Sequence, residues 1–249
     1  MGNSKTSAIS LFQNKTTVPY EFNRVAKKYD LATFLSQGYQ SDLQRSVDRI
    51  ELNGDELVLD LCCGTGKSTI CCINNLKTGK VIGIDNSEEM LRVAENKYHK
   101  QFDRERLEFI QKDVMELDYD DNTVNAIFMA YGIRNMPDYK KCLQNLIRIL
   151  KPGGKIAFHE FSIKKGSLYR IYWKILGYGL IIPFSTLLTG NFTIFSYLIK
   201  SVLNFPSPDR FSKLLSETGF EQVTCHPQKS WRKFILHTFV AIKPVNQAV

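Results

Sequence analysis

Three carboxylates close apolar runs in the first half of the chain: Asp60 in Val58-Leu59-Asp60-Leu61, Asp85 at the end of Lys80–Asp85, and Asp113 at the end of Leu107–Asp113. Apolar runs of this length read as strands buried on both faces, which delivers each acid to the carboxyl end of a parallel strand. After Asp60 comes Cys62-Cys63-Gly64-Thr65-Gly66, a glycine turn, and then a helix beginning near Ser68 and Thr69. Strand, glycine turn and helix N-terminus form a nucleotide-handling corner. A P-loop needs glycine five residues before the glycine of Gly66-Lys67-Ser68, in the pattern G-x-x-x-x-G-K-[ST], and that position is Leu61. A dinucleotide fingerprint needs a third glycine where Thr69 stands. What remains is an S-adenosylmethionine site, with Asp60, Gly64, Thr65 and Gly66 making the turn.

The later acids fit the same ligand. Asp85 lies about twenty residues past the glycines, where a carboxylate accepts both ribose hydroxyls. It could instead cap the helix Glu88–Tyr98, but Asn86 or Ser87 can do that alone. Asp113 can accept from an adenine amino group while the Val114 amide donates to the ring. The six cysteines, at 62, 63, 71, 72, 142 and 225, show no C-x-x-C spacing, and four crowd one strand–turn–helix. They read as small buried thiols in a reducing compartment, with no metal site and no disulfide framework.

These groups need elements to hold them. With 249 residues, 43% apolar and 23% charged, the chain has room for one large core, so one domain with a lid is expected rather than two domains. A short helix over Phe22–Asp30 and a second over about Gln40–Ile50 precede the sheet. They form a helical cap over residues 1–50 that can pack across the ligand edge. Tyr29 and Asp30 are then either site residues or plain lid surface, and spacing does not choose. Residues 51–162 read as the cofactor-binding core, with a fourth strand Val124–Ala130, a helix from Pro137 to near Leu150, and a fifth strand Lys155–Glu160. Strands alternating with helices at this spacing define a parallel α/β sheet. Residues 163–206 form an insertion and 207–249 a closing helix with two more strands, which completes seven. The fold class is α/β, Rossmann-like: a seven-stranded, mostly parallel sheet with helices on both faces and an apolar helical lid.

Within the insertion, Ile175–Ile199 carries no charged residue and lysines bound it at 174 and 200. Its length suits a bilayer, yet Gly177, Gly179, Pro183, Gly190 and Asn191 interrupt it. It reads as an apolar element lying in a membrane interface, or as a helical pair completing the core. The net charge of +8 is unevenly placed: residues 1–150 hold 20 Lys and Arg against 21 Asp and Glu, and residues 151–249 hold 13 against 4. A basic region without a nucleic-acid-reading motif points to anionic lipid and away from nucleic acid. No cleavable secretory leader opens the chain. Met1-Gly2-Asn3-Ser4-Lys5-Thr6 fits the loose myristoylation pattern and equally a frayed polar tail.

From Phe22 to Pro244 the chain resembles the ubiquinone/menaquinone biosynthesis C-methyltransferase family. The resemblance rests on Phe22…Ala26…Tyr29-Asp30, on Gly132-Ile133-Arg134-Asn135 followed by Leu150-Lys151-Pro152-Gly153-Gly154 and Glu160-Phe161-Ser162, and on Tyr197-Leu198…Ser201…Phe205-Pro206. It implies class I methyl transfer from S-adenosylmethionine to a polyprenylated quinol, demethylmenaquinol or a ubiquinone-precursor benzoquinol. Thr69, Asp85, Asp113 with Val114, and Ala130 match the family's cofactor positions, and Arg134 stands beside the acceptor; Asn86 and Met90 are further cofactor-binding candidates and Asn135 a further catalytic one. Cys62-Cys63 and Lys67 stand where the family has Ala-Gly and Asp. Arginine does not give up its proton near neutral pH, so Arg134 is expected to stabilise a developing phenolate or position a water, or else to form a structural ion pair. Glu160, Asp30 and His159 are the candidate proton acceptors. The resemblance further implies a lipophilic acceptor and a cytoplasmic, membrane-peripheral location, and leaves a homodimer open. Two other readings keep weight: N-methylation of a phospholipid headgroup, and a non-catalytic S-adenosylmethionine-binding subunit of an assembly.

Overall fold

The computed structural model describes residues 15–34 and 38–245, so the Met1–Thr6 motif lies outside the described residues. Seven strands form one sheet: β1 (Leu57–Leu61), β2 (Lys80–Asp85), β3 (Leu107–Gln111), β4 (Val124–Ala130), β5 (Leu150–Phe161), β6 (Glu221–Pro227) and β7 (Leu236–Ile242). Their order is β3-β2-β1-β4-β5-β7-β6. The first five run parallel, and β7 is antiparallel to both of its neighbours. From β1 the chain steps outward through β2 and β3, then returns to β4 on the other side. That reversal opens a crevice above the carboxyl ends of β1 and β4, the place where such sheets bind ligands.

The central strands are apolar throughout because both faces are covered. Leu43 and Val47 of α2 (Tyr39–Asp48), with Cys71, Cys72 and Ile73 of α3 (Lys67–Asn74), pack on Val58, Phe128 and Ala157. Across the sheet, Leu59, Ile127 and Phe158 meet Leu143 and Leu146 of α5 (Tyr139–Ile149) and Phe211 and Leu215 of α9 (Pro208–Glu217). Helix α4 (Glu88–Tyr98) begins at Ser87, whose hydroxyl accepts the Met90 amide. Several bounds differ from the sequence reading, the first helix running Val18–Phe34 among them, and two differences have a plain local cause. β3 stops at Gln111, because the Asp113 carboxylate accepts the Met115 amide at 2.8 Å and starts a short 3-10 turn, Val114–Glu116. β5 begins at Leu150, five residues early, because the sheet tolerates a register shift opposite Val124 and Ala126.

The insertion has two unlike halves. Helix α6 (Leu168–Leu176) runs through a wide π turn at Gly177–Ile181 into α7 (Ile182–Thr189). Together they make one helix, Leu168–Thr189, which among the described residues is long and apolar enough to cross a membrane by length and composition. In the π turn the Ile182 amide donates to the Gly177 carbonyl, five residues back. A Cβ on Gly177 would meet Ile199 at 2.5 Å, so the missing side chain is what lets the returning helix α8 (Phe192–Asn204) come close. Gly190, with φ +75°, reverses the chain between α7 and α8 and divides the uncharged run in two. Helix α8 buries Tyr197, Ile199 and Val202 against Val25 and Ala26 of α1 (Val18–Phe34) and completes a core cluster. The first helix does the opposite: Leu168, Ile175 and Leu187 are 78%, 68% and 84% exposed.

Candidate active site

The crevice is a cleft enclosing about 1090 Å³ of empty space, part of it open to solvent. Its floor is the turn after β1. Gly64 and Gly66 have φ +55° and +81°, and a Cβ on Gly64 would meet nothing within 4 Å, so this backbone stands clear for a ligand to approach. Asp85 bridges two loops: Oδ2 accepts the Gly64 amide and Oδ1 the Ser87 amide, each at 2.8 Å. Burial nevertheless raises its pKa, the amide bonds opposing. Asn86 donates to Asp113 Oδ2 at 3.2 Å, which ties the second and third acids into one wall.

Of the residues read from sequence, Gly64, Thr65, Asp85, Asn86, Met90, Asp113, Val114, Ala130, Arg134 and Asn135 line this cleft together. Asp60, Gly66, Thr69 and Glu160 stand behind its wall. The Ser68 and Thr69 hydroxyls donate to Asp60 Oδ2 at 2.7 and 2.6 Å, so Thr69 faces the core and pins the helix start to β1. Desolvation pushes the Asp60 carboxyl up to about 7, and its Oδ1 has no protein partner. Tyr29 and Asp30 lie in α1, and their side chains are outside the described residues. His159 is fully buried and reaches the cleft only through Tyr131.

Arg134 occupies a short 3-10 turn, Ile133–Asn135, just after β4. Its Nη1 donates to Glu160 Oε1 at 2.7 Å and to the Tyr131 carbonyl at 2.8 Å, and its Nε to Ser201 Oγ at 3.3 Å. Arg134 is 5% exposed and Glu160 fully buried, so this is an ion pair withdrawn from water. Burial raises the Glu160 pKa and the guanidinium opposes the rise. Asn135 donates to the same Tyr131 carbonyl at 3.3 Å and accepts from the Tyr197 hydroxyl at 3.1 Å, which couples the loop to α8.

Sequence reasoning missed several wall residues: Lys15, Phe22, Tyr39, Cys62, Cys63 and Tyr131. Lys15 donates to the carbonyls of Arg134 and Met136 at 2.9 and 2.8 Å, and burial, reinforced by Arg134, pushes its pKa down to about 8. Tyr131 carried a signal in its place between a strand end and Gly132, and Cys62 and Cys63 in theirs directly before Gly64; Lys15, Phe22 and Tyr39 come from segments far from these in the chain.

Residues 11–238 match the model of the ubiE/COQ5 methyltransferase family. The chain belongs to that family. It is 32% identical over 206 residues to the demethylmenaquinone methyltransferase of Lactobacillus johnsonii, covering 81% of this chain and 84% of the relative. It is 32% identical over 220 residues to the ubiquinone/menaquinone biosynthesis C-methyltransferase UbiE of Rickettsia bellii, covering 85% and 87%. Among solved structures, the fold is shared with a Haemonchus contortus phosphoethanolamine N-methyltransferase in complex with S-adenosylhomocysteine. There the TM-score is 0.65 at 17% identity, over 94% of this chain and 59% of that one. This family member is therefore an S-adenosylmethionine-dependent methyltransferase with a class I fold. The residues present fit that cofactor: the open glycine backbone would take its amino-acid end, Asp85 its ribose, and Asp113 with the Val114 amide its adenine.

Proposed function

We propose that the acceptor of this ubiE/COQ5 family methyltransferase is a polyprenylated quinol, methylated on a ring carbon. The observation that carries this reading is the meeting of two surfaces on one cleft. One is the polar loop Tyr131–Asn135 at the end of β4. The other is the apolar wall of Val18, Pro19 and Phe22 on α1, a helix that packs against the exposed lid. A ring with hydroxyls suits the first and a prenyl chain the second. The names of the Lactobacillus and Rickettsia relatives support the same class of acceptor.

S-adenosylmethionine supplies the methyl group on a sulfonium centre. The chain's own task is to hold the ring in line, exclude water and receive the hydroxyl proton whose loss makes the ring carbon nucleophilic. Arg134, paired with Glu160, holds the loop in place and is not the base. Lys15 faces the cleft with a pKa near 8, so its neutral form is present in useful amount near neutral pH and can accept that proton.

A prenyl quinol is dissolved in a bilayer, so the enzyme must work at the cytoplasmic face of a membrane. Leu168, Ile171, Ile175 and Leu187 form an exposed apolar face, with Lys164, Lys165 and Lys174 near it. Anionic headgroups attract such lysines by about 1 kcal/mol each, and the apolar face adds shallow insertion. The test is methylation of a reduced prenyl quinol carried in anionic vesicles, read by mass spectrometry of the extracted ring. A product heavier by one methyl group is expected. Sedimentation should show binding to anionic vesicles that falls steeply with salt and is weak on neutral ones. Absence of methylated quinol overturns the acceptor, and absence of vesicle binding at low salt overturns the membrane reading.

A further inference from the structure

Behind the acceptor side of the cleft lies a polar cluster that the functional reading leaves unused. Tyr131 sits at the carboxyl end of β4 with φ +56°. That left-handed backbone is costly for an aromatic residue and persists where its surroundings force it, often at functional sites. The Tyr131 amide donates to the His159 carbonyl at 2.8 Å, which fixes the backbone, and the ring lines the cleft. Tyr39 stacks on that ring at 5.7 Å and Phe161 packs beside it at 5.2 Å, so its plane is fixed as well. The hydroxyl lies 2.9 Å from His159 Nε2.

His159 is held from the rear. Its Nδ1 is 2.8 Å from Ser46 Oγ, and the Ser46 hydroxyl donates to the Asp42 carbonyl at 2.8 Å. Which partner donates in the Nδ1–Ser46 and Nε2–Tyr131 contacts follows the imidazole tautomer, and in either tautomer the neutral ring holds the Tyr131 hydroxyl in place. Gln228 and Thr238 close the cluster around Ser46, the first donating to the second at 2.8 Å. Burial and the nearby cations Arg49, Arg232 and Arg45 drive the imidazole pKa down to about 3. It therefore stays neutral at working pH and is no sink for a proton. A buried polar cluster of this kind is costly unless each member is satisfied, and an apolar filling would be simpler. A neutral imidazole at hydrogen-bond distance fixes the direction of the phenol's hydroxyl.

We propose that Tyr131 is a positioning and specificity residue for the methyl acceptor: held in place by His159, its hydroxyl exchanges a hydrogen bond with a ring hydroxyl and so fixes which ring carbon faces the methyl donor. This rests on the reading that the acceptor is a hydroxylated ring. Tyr131→Phe keeps the ring and removes the oxygen. It should lower kcat/KM for the quinol roughly tenfold, mostly through KM, and leave cofactor affinity unchanged. His159→Leu releases the Tyr131 hydroxyl and should do the same, while His159→Gln, whose amide can accept from the phenol or donate to it, should recover most of the loss. The double variant Tyr131→Phe/His159→Leu should be no worse than either alone, since the two act as one unit. Variants that lose thermal stability yet keep the wild-type kcat/KM for quinol would overturn the proposal and leave a structural cluster. If the wild type itself fails to methylate a quinol, the acceptor reading falls first and this inference with it. If the wild type is active and Tyr131→Phe matches it, this inference falls alone.

Discussion

Replacing Arg134 by methionine separates the energetic role of the buried ion pair from its part in turnover. Side-chain bulk is largely kept, so cavity effects stay small. What disappears is the partner of a fully buried carboxylate. Glu160 would keep the Phe161 amide, now at 2.8 Å from Oε1, and the backbone amide of residue 134, but no cationic partner. Removing one member of such a pair costs about 3–5 kcal/mol, a large share of the roughly 5–15 kcal/mol that holds a typical domain together. The carboxyl can escape the cost by binding a proton. Burial already raises its pKa and Arg134 is the main influence holding the rise in check, so the variant's folded value climbs further. A folded pKa above the unfolded one means that the native state binds the proton more tightly. Stability is then greatest at low pH and falls as pH rises from the unfolded carboxyl value toward the folded one, by at most about 1.4 kcal/mol per pH unit. Urea unfolding of wild type, Arg134→Met and Arg134→Met/Glu160→Gln at pH 5, 6, 7 and 8 should show that slope in the single variant. The double variant, with no charge to bury, should recover most of the loss and flatten the slope. Wild-type stability and slope in the single variant would refute the idea that the pair is desolvated. For function, Arg134→Ala should leave cofactor affinity within a few-fold and cut turnover by roughly a hundredfold. Normal turnover would make Arg134 a tie between loop and sheet and nothing more.

Asp85→Ala removes the carboxylate that faces the ribose position and also strands the Gly64 and Ser87 amides. Calorimetric titration should show S-adenosylmethionine binding weakened by about 1.5–3 kcal/mol, and unchanged affinity would remove Asp85 from the site. If neutral Lys15 takes the quinol proton, turnover should rise as pH passes through about 8, the value to which burial and Arg134 bring it. Lys15→Met should lose that limb of the pH–rate profile, and Arg134→Met should shift it to higher pH by removing a neighbouring positive charge; a limb unmoved in both variants assigns it to another group.

Much of the sheet was legible because local signals agreed. β2, β4 and α4 have the bounds read from sequence, where an unbroken apolar run or a capping serine coincides with what packing demands. β3 was overrun because Asp113 looks like a strand end and is instead the cap of the turn that follows. The acids of the cofactor wall were legible for a topological reason: parallel strands deliver their carboxyl ends to one edge. The acceptor wall was not, because residues 15, 22, 39 and 131 meet only after α1 and α2 fold across that edge, and no period or motif reports such a meeting. Thr69 and Asp60 show the reverse error of scale. Their types and spacing fit a ligand-binding corner, yet the Thr69 hydroxyl is taken by Asp60 Oδ2 and the two hold the turn from behind. In the insertion, α8 completes the core, as the core-helix reading expects, while α6 and α7 leave most of their large apolar side chains exposed.

The π turn at Gly177–Ile181 has a consequence for how the lid tolerates changes in chain length. Trp173, Gly177, Ile182 and Ser185 form its buried stripe, and one step along that stripe is five residues long where an ordinary helix would take three or four. Deleting a residue from a regular helix swings everything beyond it by about 100° and turns the apolar side the wrong way. Here the surplus residue is already present in the wide turn. Loss of any one residue among Tyr178, Gly179, Leu180 and Ile181 converts that turn to an ordinary α turn and leaves Ile182 and Ser185 facing the same neighbours. The lid can thus shed one residue at this point, and at few others, without re-sorting which side chains meet the core and which meet the surroundings.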